Sequence, residues 1–278
     1  MEAAVGIVAQ RENDRAQSLA GTLLEVLEGE HGKRPIVDEE TGSAIDAESV
    51  PVDAMSACDL VVSIGGDGTL LFVAREVGDT PILGIDLGEV GFLNAVDPSD
   101  AREVVTGVAD RLRSRSLECH ELVRLAATGV GDAWTLGPAL NEVVVHGPRR
   151  GRGSGATVEV RIDGRQYHAG HADGVLVATP TGSTAYNLSE DGPLIHPTAD
   201  ALVITGMATA ESMAPLVVDP GMEIELSISD ADTGYVIADG RNRRPLEPPA
   251  TVSVSVADDP VRLVGPRPRF VEALEKLE

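Results

Sequence analysis

Leu60-Val61-Val62-Ser63-Ile64-Gly65-Gly66-Asp67-Gly68-Thr69-Leu70-Leu71 is the stretch on which the reading of the chain turns. An apolar run of strand length stops at two glycines, and a periodic apolar segment follows through Val77. The pattern predicts a buried strand, a tight glycine-rich turn and a helix. Glycines at such a turn let backbone approach a ligand closely, and a helix N-terminus offers unpaired N–H groups to an anion. Asp67 runs against that picture. At an effective dielectric near 20, a carboxylate ~4 Å from a phosphate charge costs about 4 kcal/mol per charge pair. Asp67 is therefore offset by a metal ion, has a chemical task, or never meets phosphate. The plain alternative makes Asp67 or Thr69 an ordinary helix cap. The full Gly65–Thr69 run after a buried strand favours phosphate chemistry over capping.

Working outward from this turn, Ala3 to Ala9 reads as a first buried strand, and Asn13 to Leu27 carries apolar residues at helical spacing. Pro35 to Val37 is a short strand candidate, and residues 38–56, with Gly42 and Pro51, read as a connection. Beyond the turn come a strand at Pro81 to Ile85, a loop with Gly88 and Gly91, and a helix from Ser99 to Ser114. Strands alternating with helices predict a parallel, Rossmann-like sheet. After about residue 116 the rhythm changes to short, often alternating apolar segments, among them Val143 to Val145, Val158 to Ile162, Val175 to Val177 and Thr251 to Val256. Asp163-Gly164 predicts a hairpin turn. The expected organisation is an α/β domain over 1–115, a β-rich, sandwich-like domain over 116–258, and a tail with a short helix over 259–278.

The chain has 278 residues and a formal net charge of −23, with acidic residues spread throughout. Lys33 and Lys276 are its lysines, so nearly all positive charge is arginine. Such a surface repels itself and repels nucleotides in dilute buffer, whereas in ~1 M salt the Debye length of about 3 Å removes most of both penalties. A salt-rich cell is expected, and nucleic acid is an unfavourable partner. Cys58 and Cys119 have neither metal spacing nor a disulfide framework, which suits a reduced cytoplasm. The apolar start is too short for a secretory signal, and no apolar run is long enough to span a membrane.

Three polar clusters sit in the strand-rich half. Asn141-Glu142 precedes Val143; together an amide and a carboxylate offer donors and acceptors for ribose hydroxyls or an amide. Asp173 opens a buried strand that runs into Thr179-Pro180-Thr181-Gly182-Ser183-Thr184-Ala185-Tyr186-Asn187-Leu188-Ser189. Small hydroxyl residues and glycine there let an aromatic base lie against backbone with Tyr186 beside it. A Ser/Thr-rich turn explains part of that run but leaves Asp173 unaccounted for. The third cluster is Asp239-Gly240-Arg241.

In this order, the clusters resemble the NAD kinase family: Gly65 to Thr69, Asn141-Glu142, the block from Asp173 through Pro197, and Asp239-Gly240, with Pro81 to Ile85 and Gly91-Phe92-Leu93 alongside. The resemblance implies transfer of the γ-phosphate of ATP, or of a polyphosphate end, to the adenosine 2′-hydroxyl of NAD. It implies Asp67 as general base, and Gly65, Gly66, Gly68 and Thr69 at the phosphate donor, with Mg²⁺ or another divalent metal screening the charge. Asn141, Glu142 and Asp173 would hold polar groups of NAD, Thr184 to Ser189 (Ala185 and Tyr186 among them) would line its base, Thr181 would also bind NAD, and Ala208 would pack on a ring. Asp239, Arg152 and Arg241 complete the implied NAD-binding set, the arginines on phosphate groups. His171 stands where many members carry arginine. A homodimer or homotetramer is also implied. Two rival classes share features with the chain. A diacylglycerol- or sphingosine-type lipid kinase has a similar glycine turn but needs an apolar or basic membrane-facing surface. A non-catalytic NAD-binding regulator leaves Asp67 without a task and lacks the usual Gly-x-Gly-x-x-Gly after the first strand.

The charge yields a direct test. Melting temperature and activity are expected to rise between 0.1 M and roughly 2 M KCl as screening sets in; a melting point indifferent to salt would remove the salt-rich-cell inference.

Overall fold

A computed structural model describes residues 3–31, 34–88, 91–132, 134–148 and 155–275. It divides into two units, one comprising Met1–Leu122 with Asp259–Glu278 and the other Val123–Asp258. In the first unit, β1 (Val5–Ala9), α1 (Asp14–His31), β2 (Ile36–Asp38), α2 (Glu39–Ile45), β3 (Ser49–Val50), β4 (Leu60–Gly65), α3 (Asp67–Glu76), β5 (Ile82–Asp86), α4 (Ala101–Arg113) and β6 (Cys119–Leu122) follow one another. Among the described residues the sheet has seven strands, in the order β3-β2-β1-β4-β5, then the strand Val261–Val264, then β6. The β1–β4 and β4–β5 pairs are parallel, with Val62 opposite both Ile7 and Leu83. Strand order reverses between β1 and β4, the place where open α/β sheets bind ligands. β4 is buried along its whole length, which is why it reads as an unbroken apolar run.

Two expectations are revised here. Residues 38–56, read as a connection, hold α2, β3 and the 3₁₀ turn Val52–Ala57. The Asp38 carboxylate caps α2 by accepting from the backbone N–H of Glu40 and Thr41, and the Thr41 hydroxyl donates to it while accepting from Ala9 N–H. Gly42, which looked like a breaker, is a close-packing position: a Cβ there would lie 2.5 Å from Ser49 Cβ. The segment expected as a tail carries Val261–Val264, which pairs in parallel with β5 and antiparallel with β6. Its Val261 and Leu263 are buried, so the segment is part of the first sheet.

The second unit contains β7 (Leu125–Gly129), β8 (Thr135–Ala139), β9 (Glu142–His146), β10 (Ala156–Ile162), β11 (Arg165–Ala172), β12 (Gly174–Ala178), α5 (Tyr186–Ser189), β13 (Leu202–Met207), β14 (Leu216–Val218), β15 (Ile224–Ser229), β16 (Gly234–Ala238), β17 (Asn242–Leu246) and β18 (Ala250–Val256). Among the described residues two six-stranded sheets, β11-β10-β15-β18-β7-β8 and β14-β13-β12-β9-β16-β17, share one core of alternating residues such as Val145, Val160, Val177, Leu226 and Val254. The opposite face of β9 and β12 is also covered: Val144 and Leu176 pack with Ile195 and Val203. Burial on both faces explains the continuous apolar runs there. Asp163 and Gly164, at φ 49° and 72°, make the hairpin turn that joins β10 to β11.

Truncating Leu263 to Ala should cost about 2–4 kcal/mol in urea unfolding, as a buried strand residue does. Unchanged stability would detach the C-terminal strand from the sheet.

Candidate active site

The site in the first unit grows from the end of β4. Gly66 is the N-cap of α3 and no side chain caps the helix; Thr69 N–H is taken by Gly66 O at 2.9 Å, which leaves the amides before it uncapped. Neither Asp67 nor Thr69 serves as the cap. The Asp67 carboxylate turns instead to the loop after β5. Its Oδ2 accepts from Phe92 N–H at 2.9 Å, and its Oδ1 from Leu93 N–H at 3.1 Å, Asn94 N–H at 3.4 Å and Asn94 Nδ2 at 3.2 Å. Burial raises the pKa of Asp67, the three backbone N–H groups pull it back, and the charge of Asp86 adds to the rise. The net result is a proton acceptor shifted toward neutrality.

The glycines differ in what they do. A Cβ at Gly65 would lie 2.5 Å from Thr69 Oγ1, and a Cβ at Gly84 would strike the side chains of Asn94 and Leu70. These two let strand and loop close on each other. Beside Gly66 and Gly68 there is open space, so the backbone there is free to meet a ligand. Sequence reading missed Asn94, which is 3 % exposed and steadies the carboxylate; its one visible trace was its closeness to Gly91-Phe92-Leu93.

In the second unit Glu142 opens β9 and faces Ala178 across the antiparallel pair with β12. It is 5 % exposed, and its Oε2 has no hydrogen-bond partner. Its pKa is pushed up to about 7 by burial and then by the charge of Asp239, against the Tyr186 N–H that hydrogen-bonds it. The Asp239 carboxylate accepts from the N–H of Leu140 at 2.9 Å, Asn141 at 2.7 Å and Glu142 at 3.3 Å. It therefore holds the Asn141-Glu142 loop in place. Thr179 Oγ1 donates to Leu140 O at 2.6 Å, and a Cβ at Gly182 would strike the Asn141 backbone. Asn141, Glu142, Asp239 and the Thr181–Tyr186 turn thus converge. Ser183 in that turn and Asn187 just after it, in α5, are staples: Ile195 N–H donates to Ser183 Oγ at 3.0 Å, and Thr205 Oγ1 to Asn187 Oδ1 at 2.7 Å. Thr184, Ala185 and Tyr186 are half-buried, and Ser189 is exposed.

Asp173 is not in this cluster. Gly174 pairs with His146 at the far end of β9, four residues from the Ala178–Glu142 pair, or about 13 Å along the strand. Asp173 N–H donates to Met207 O and Ala210 N–H to His171 O, which puts His171, Asp173 and Ala208 together at that other end. Arg152 lies outside the described residues. Arg241 is exposed, whereas its neighbours are engaged: Arg243 lies 3.5 Å over the Tyr235 ring and Arg244 4.9 Å over Trp134.

A parallel α/β unit with an open helix N-terminus beside a buried carboxylate, followed by a two-sheet unit with a second buried carboxylate, defines a nucleotide-handling phosphotransferase. Residues 5–112 match the model of the ATP-NAD kinase N-terminal domain, and residues 140–265 that of the ATP-NAD kinase C-terminal domain. A NAD kinase of Haloarcula marismortui is 55% identical over 283 residues, spanning 98% of this chain and 99% of the relative. One from Natronomonas pharaonis is 50% identical over 275 residues, spanning 99% of each. The fold matches that of yeast NADH kinase complexed with NADH at a TM-score of 0.85 and 21% identity, over 100% of this chain and 88% of that one. It also matches an Archaeoglobus fulgidus NAD kinase in complex with ATP at 0.77 and 23% identity, over 99% and 98% of the two chains. The chain belongs to the NAD kinase family. Membership of that family sets aside the lipid-kinase reading, and its phosphotransferase activity sets aside the regulator reading.

Glu142 makes stability depend on pH with a definite sign. Its carboxyl ionises near 4.5 in an unconstrained chain and near about 7 when folded. Between those values the folded chain keeps a proton that the unfolded chain has lost, so stability falls as pH rises, by up to about 3 kcal/mol. Glu142→Gln should therefore be more stable than the parent at pH 8 and nearly equal to it at pH 5, read by denaturant unfolding. Equal stability at both would place the carboxylate in a better solvated site.

Proposed function

We propose that the chain transfers the terminal phosphate of ATP, or of inorganic polyphosphate, to the adenosine 2′-hydroxyl of NAD, giving NADP. The observation that carries this reading is the Asp67 carboxylate, held by Phe92–Asn94 at the start of α3 with its pKa raised. Asp67 takes the proton of the attacking hydroxyl, while the open amides beside Gly66 and Gly68 receive the phosphate that is transferred. Phosphoryl transfer asks for positioning and charge stabilisation more than covalent chemistry.

Asn141 and Glu142 bind polar groups of NAD, and the Thr181–Tyr186 turn with Ser189 takes its base. Asp239 acts by holding the Asn141-Glu142 loop. Asp173, Ala208 and His171 form a second group, assigned to a different part of the dinucleotide, and Arg152 and Arg241 to its phosphates. Among the described residues no group of three His, Cys, Asp or Glu side chains converges. That fits a magnesium ion brought in on the donor's phosphates and held by few protein ligands. When bound, it would screen the charge between the donor phosphates.

The same reading places the protein in a salt-rich cytoplasm, and kinship with the family makes it a homodimer or homotetramer. The salt-rich cytoplasm rests on the net charge of −23 and on Cys58 and Cys119 forming no disulfide. The charge also argues against a nucleic-acid partner.

Incubation with NAD, ATP and Mg²⁺ should yield NADP. Asp67→Asn should lower kcat by about 10²–10⁴-fold, as loss of a general base does, with the Kd for NAD close to that of the parent. Near-parental turnover in that variant would leave Asp67 a loop anchor and overturn its role as base.

A further inference from the structure

The chain has three phenylalanines, and two of them, Phe92 and Phe270, meet beside the Asp67 tether although they lie far apart in sequence. Their ring centroids are 5.8 Å apart and the planes cross at 56°, a tilted packing within the range that aromatic pairs prefer. Phe270 is buried and opens α6 (Phe270–Leu274), while Phe92 is half-buried in the loop that follows β5.

Topology brings the two rings together. The strand Val261–Val264 runs parallel to β5, with Leu263 opposite Ile82, so both strands end at the same edge of the sheet. An antiparallel strand at that place would have delivered the following residues to the opposite edge. Gly265, at φ 96°, then turns the chain, and a Cβ there would lie 2.7 Å from Leu83 Cδ1. Pro266 and Pro268 stiffen the short link to α6, and Arg269 pairs with Glu272 across its first turn at 3.2 Å.

The two oxygens of Asp67 are not held alike. Oδ1 accepts from Leu93 N–H, Asn94 N–H and Asn94 Nδ2, whereas Oδ2 has one donor among the described residues, Phe92 N–H at 2.9 Å. The direction of Oδ2 therefore rests on where the Phe92 backbone sits. Beside the rings a cleft of about 630 Å³, lined by Gly91, Asn94, Pro266 and Ala273 among others, leaves the loop room to shift. The charged group that acts on Asp67 is Asp86, at the end of β5, which raises its pKa together with burial; the Phe92 N–H opposes both.

We propose that Phe270 is a positioning residue for the general base: its ring seats Phe92, and through the Phe92 N–H it aims Asp67 Oδ2. The assignment rests on the kinase reading above and adds to it a residue from the far end of the chain. Phe270 acts through Phe92 and is not itself a catalytic residue. A buried ring gives a broad contact of defined geometry, which an aliphatic side chain of similar bulk does not.

The test compares the parent with Phe270→Leu, Phe92→Leu, the double variant and, as a control on the same helix, Val271→Ala, whose side chain is exposed. Folding is checked by circular dichroism at a KCl concentration where the parent is folded, and Phe270→Met replaces Phe270→Leu should that variant not fold. Asp67 is titrated by carboxyl-carbon NMR, with Asp67→Asn giving the assignment, and kcat and KM are read from NADP formation. Each single variant should raise the pH at which Asp67 titrates by about 0.5 or more. The acidic limb of the kcat profile should move up with it. At the plateau kcat should fall roughly tenfold, with the KM values for NAD and ATP changing less than about twofold. The double variant should match the singles, because both remove one contact, and Val271→Ala should match the parent. An Asp67 titration unchanged or lowered in the single variants, shifts that add in the double variant, or KM values that rise as far as kcat falls would overturn the proposal. A parent that makes no NADP, with the Asp67 titration still shifted by these variants, would sink the kinase reading while leaving the Phe270 contact standing.

Discussion

One carboxylate fastened by four hydrogen bonds sets the geometry of the first unit. Asp67 begins α3, yet its side chain leaves the helix to accept from Phe92, Leu93 and Asn94. Removing such a group would strand several buried donors, a larger penalty than the loss of any one bond. The tether also decides what its neighbours must be. Asn94 fits only because Gly84 has no side chain, and Gly65 must leave room for Thr69. Opposing effects then meet on a single atom pair. Burial pushes the carboxyl up, the amides pull it down, and burial wins. A fully solvated carboxylate would be a weaker base, and one with still more donors would be weaker again.

A second carboxylate plays the corresponding part in the other unit, by a different route. Asp239 follows β16, and the backbone there is left-handed, at φ 47°. That turn aims its oxygens at three successive amides of residues 140–142, about a hundred positions away in sequence. The antiparallel register of β9 with β12 then puts Glu142 opposite Ala178, and the Thr179–Tyr186 turn follows from there. Glu142 is left with one oxygen unpartnered in a buried place. A group so costly to bury persists where a ligand completes it.

The parallel sheet was legible because β1, β4 and β5 are buried on both faces, and apolar runs of strand length separated by helical periodicity have few other solutions. The glycine turn was legible for the same reason. The strands Cys119–Leu122, Arg165–Ala172 and Asn242–Leu246 were not, since their sequences, such as Asn-Arg-Arg-Pro-Leu, are polar on exposed edges and carry no alternation. Val261–Val264 was hidden by its distance from the sheet it joins: nothing local says that a segment near the end of the chain pairs with residues 82 and 119–122. At the site, residue types marked Asp67, Glu142 and Asp239 as polar atoms in apolar settings. Their partners were out of reach, because Phe92 and Leu93 act through backbone N–H groups that every residue has. Asp173 stood in the same run of sequence as Thr181, but an antiparallel strand carries its two ends to opposite edges.

Arginine placement connects the acidic surface to the site. With carboxylates outnumbering cations, an arginine in this chain finds an acidic partner easily, and several do: Arg113 with Asp110, Arg161 with Glu159, Arg262 with Asp79 and Glu121. Exposed pairs of that kind contribute about 0–1 kcal/mol and fade in salt. Arg243 and Arg244 take another course, lying on Tyr235 and Trp134, where the attraction owes more to the ring face and to desolvation than to long-range charge. Their neighbour on the turn, Arg241, has no such ring among the aromatic contacts of the described residues. In a basic protein an unpaired guanidinium carries little information, since carboxylates are scarce. In a chain at −23 it stands out more, because carboxylates are abundant. Such a group retains its full donor set for a ligand, and a guanidinium, more weakly hydrated than an ammonium, gives up less water to bind phosphate in concentrated salt.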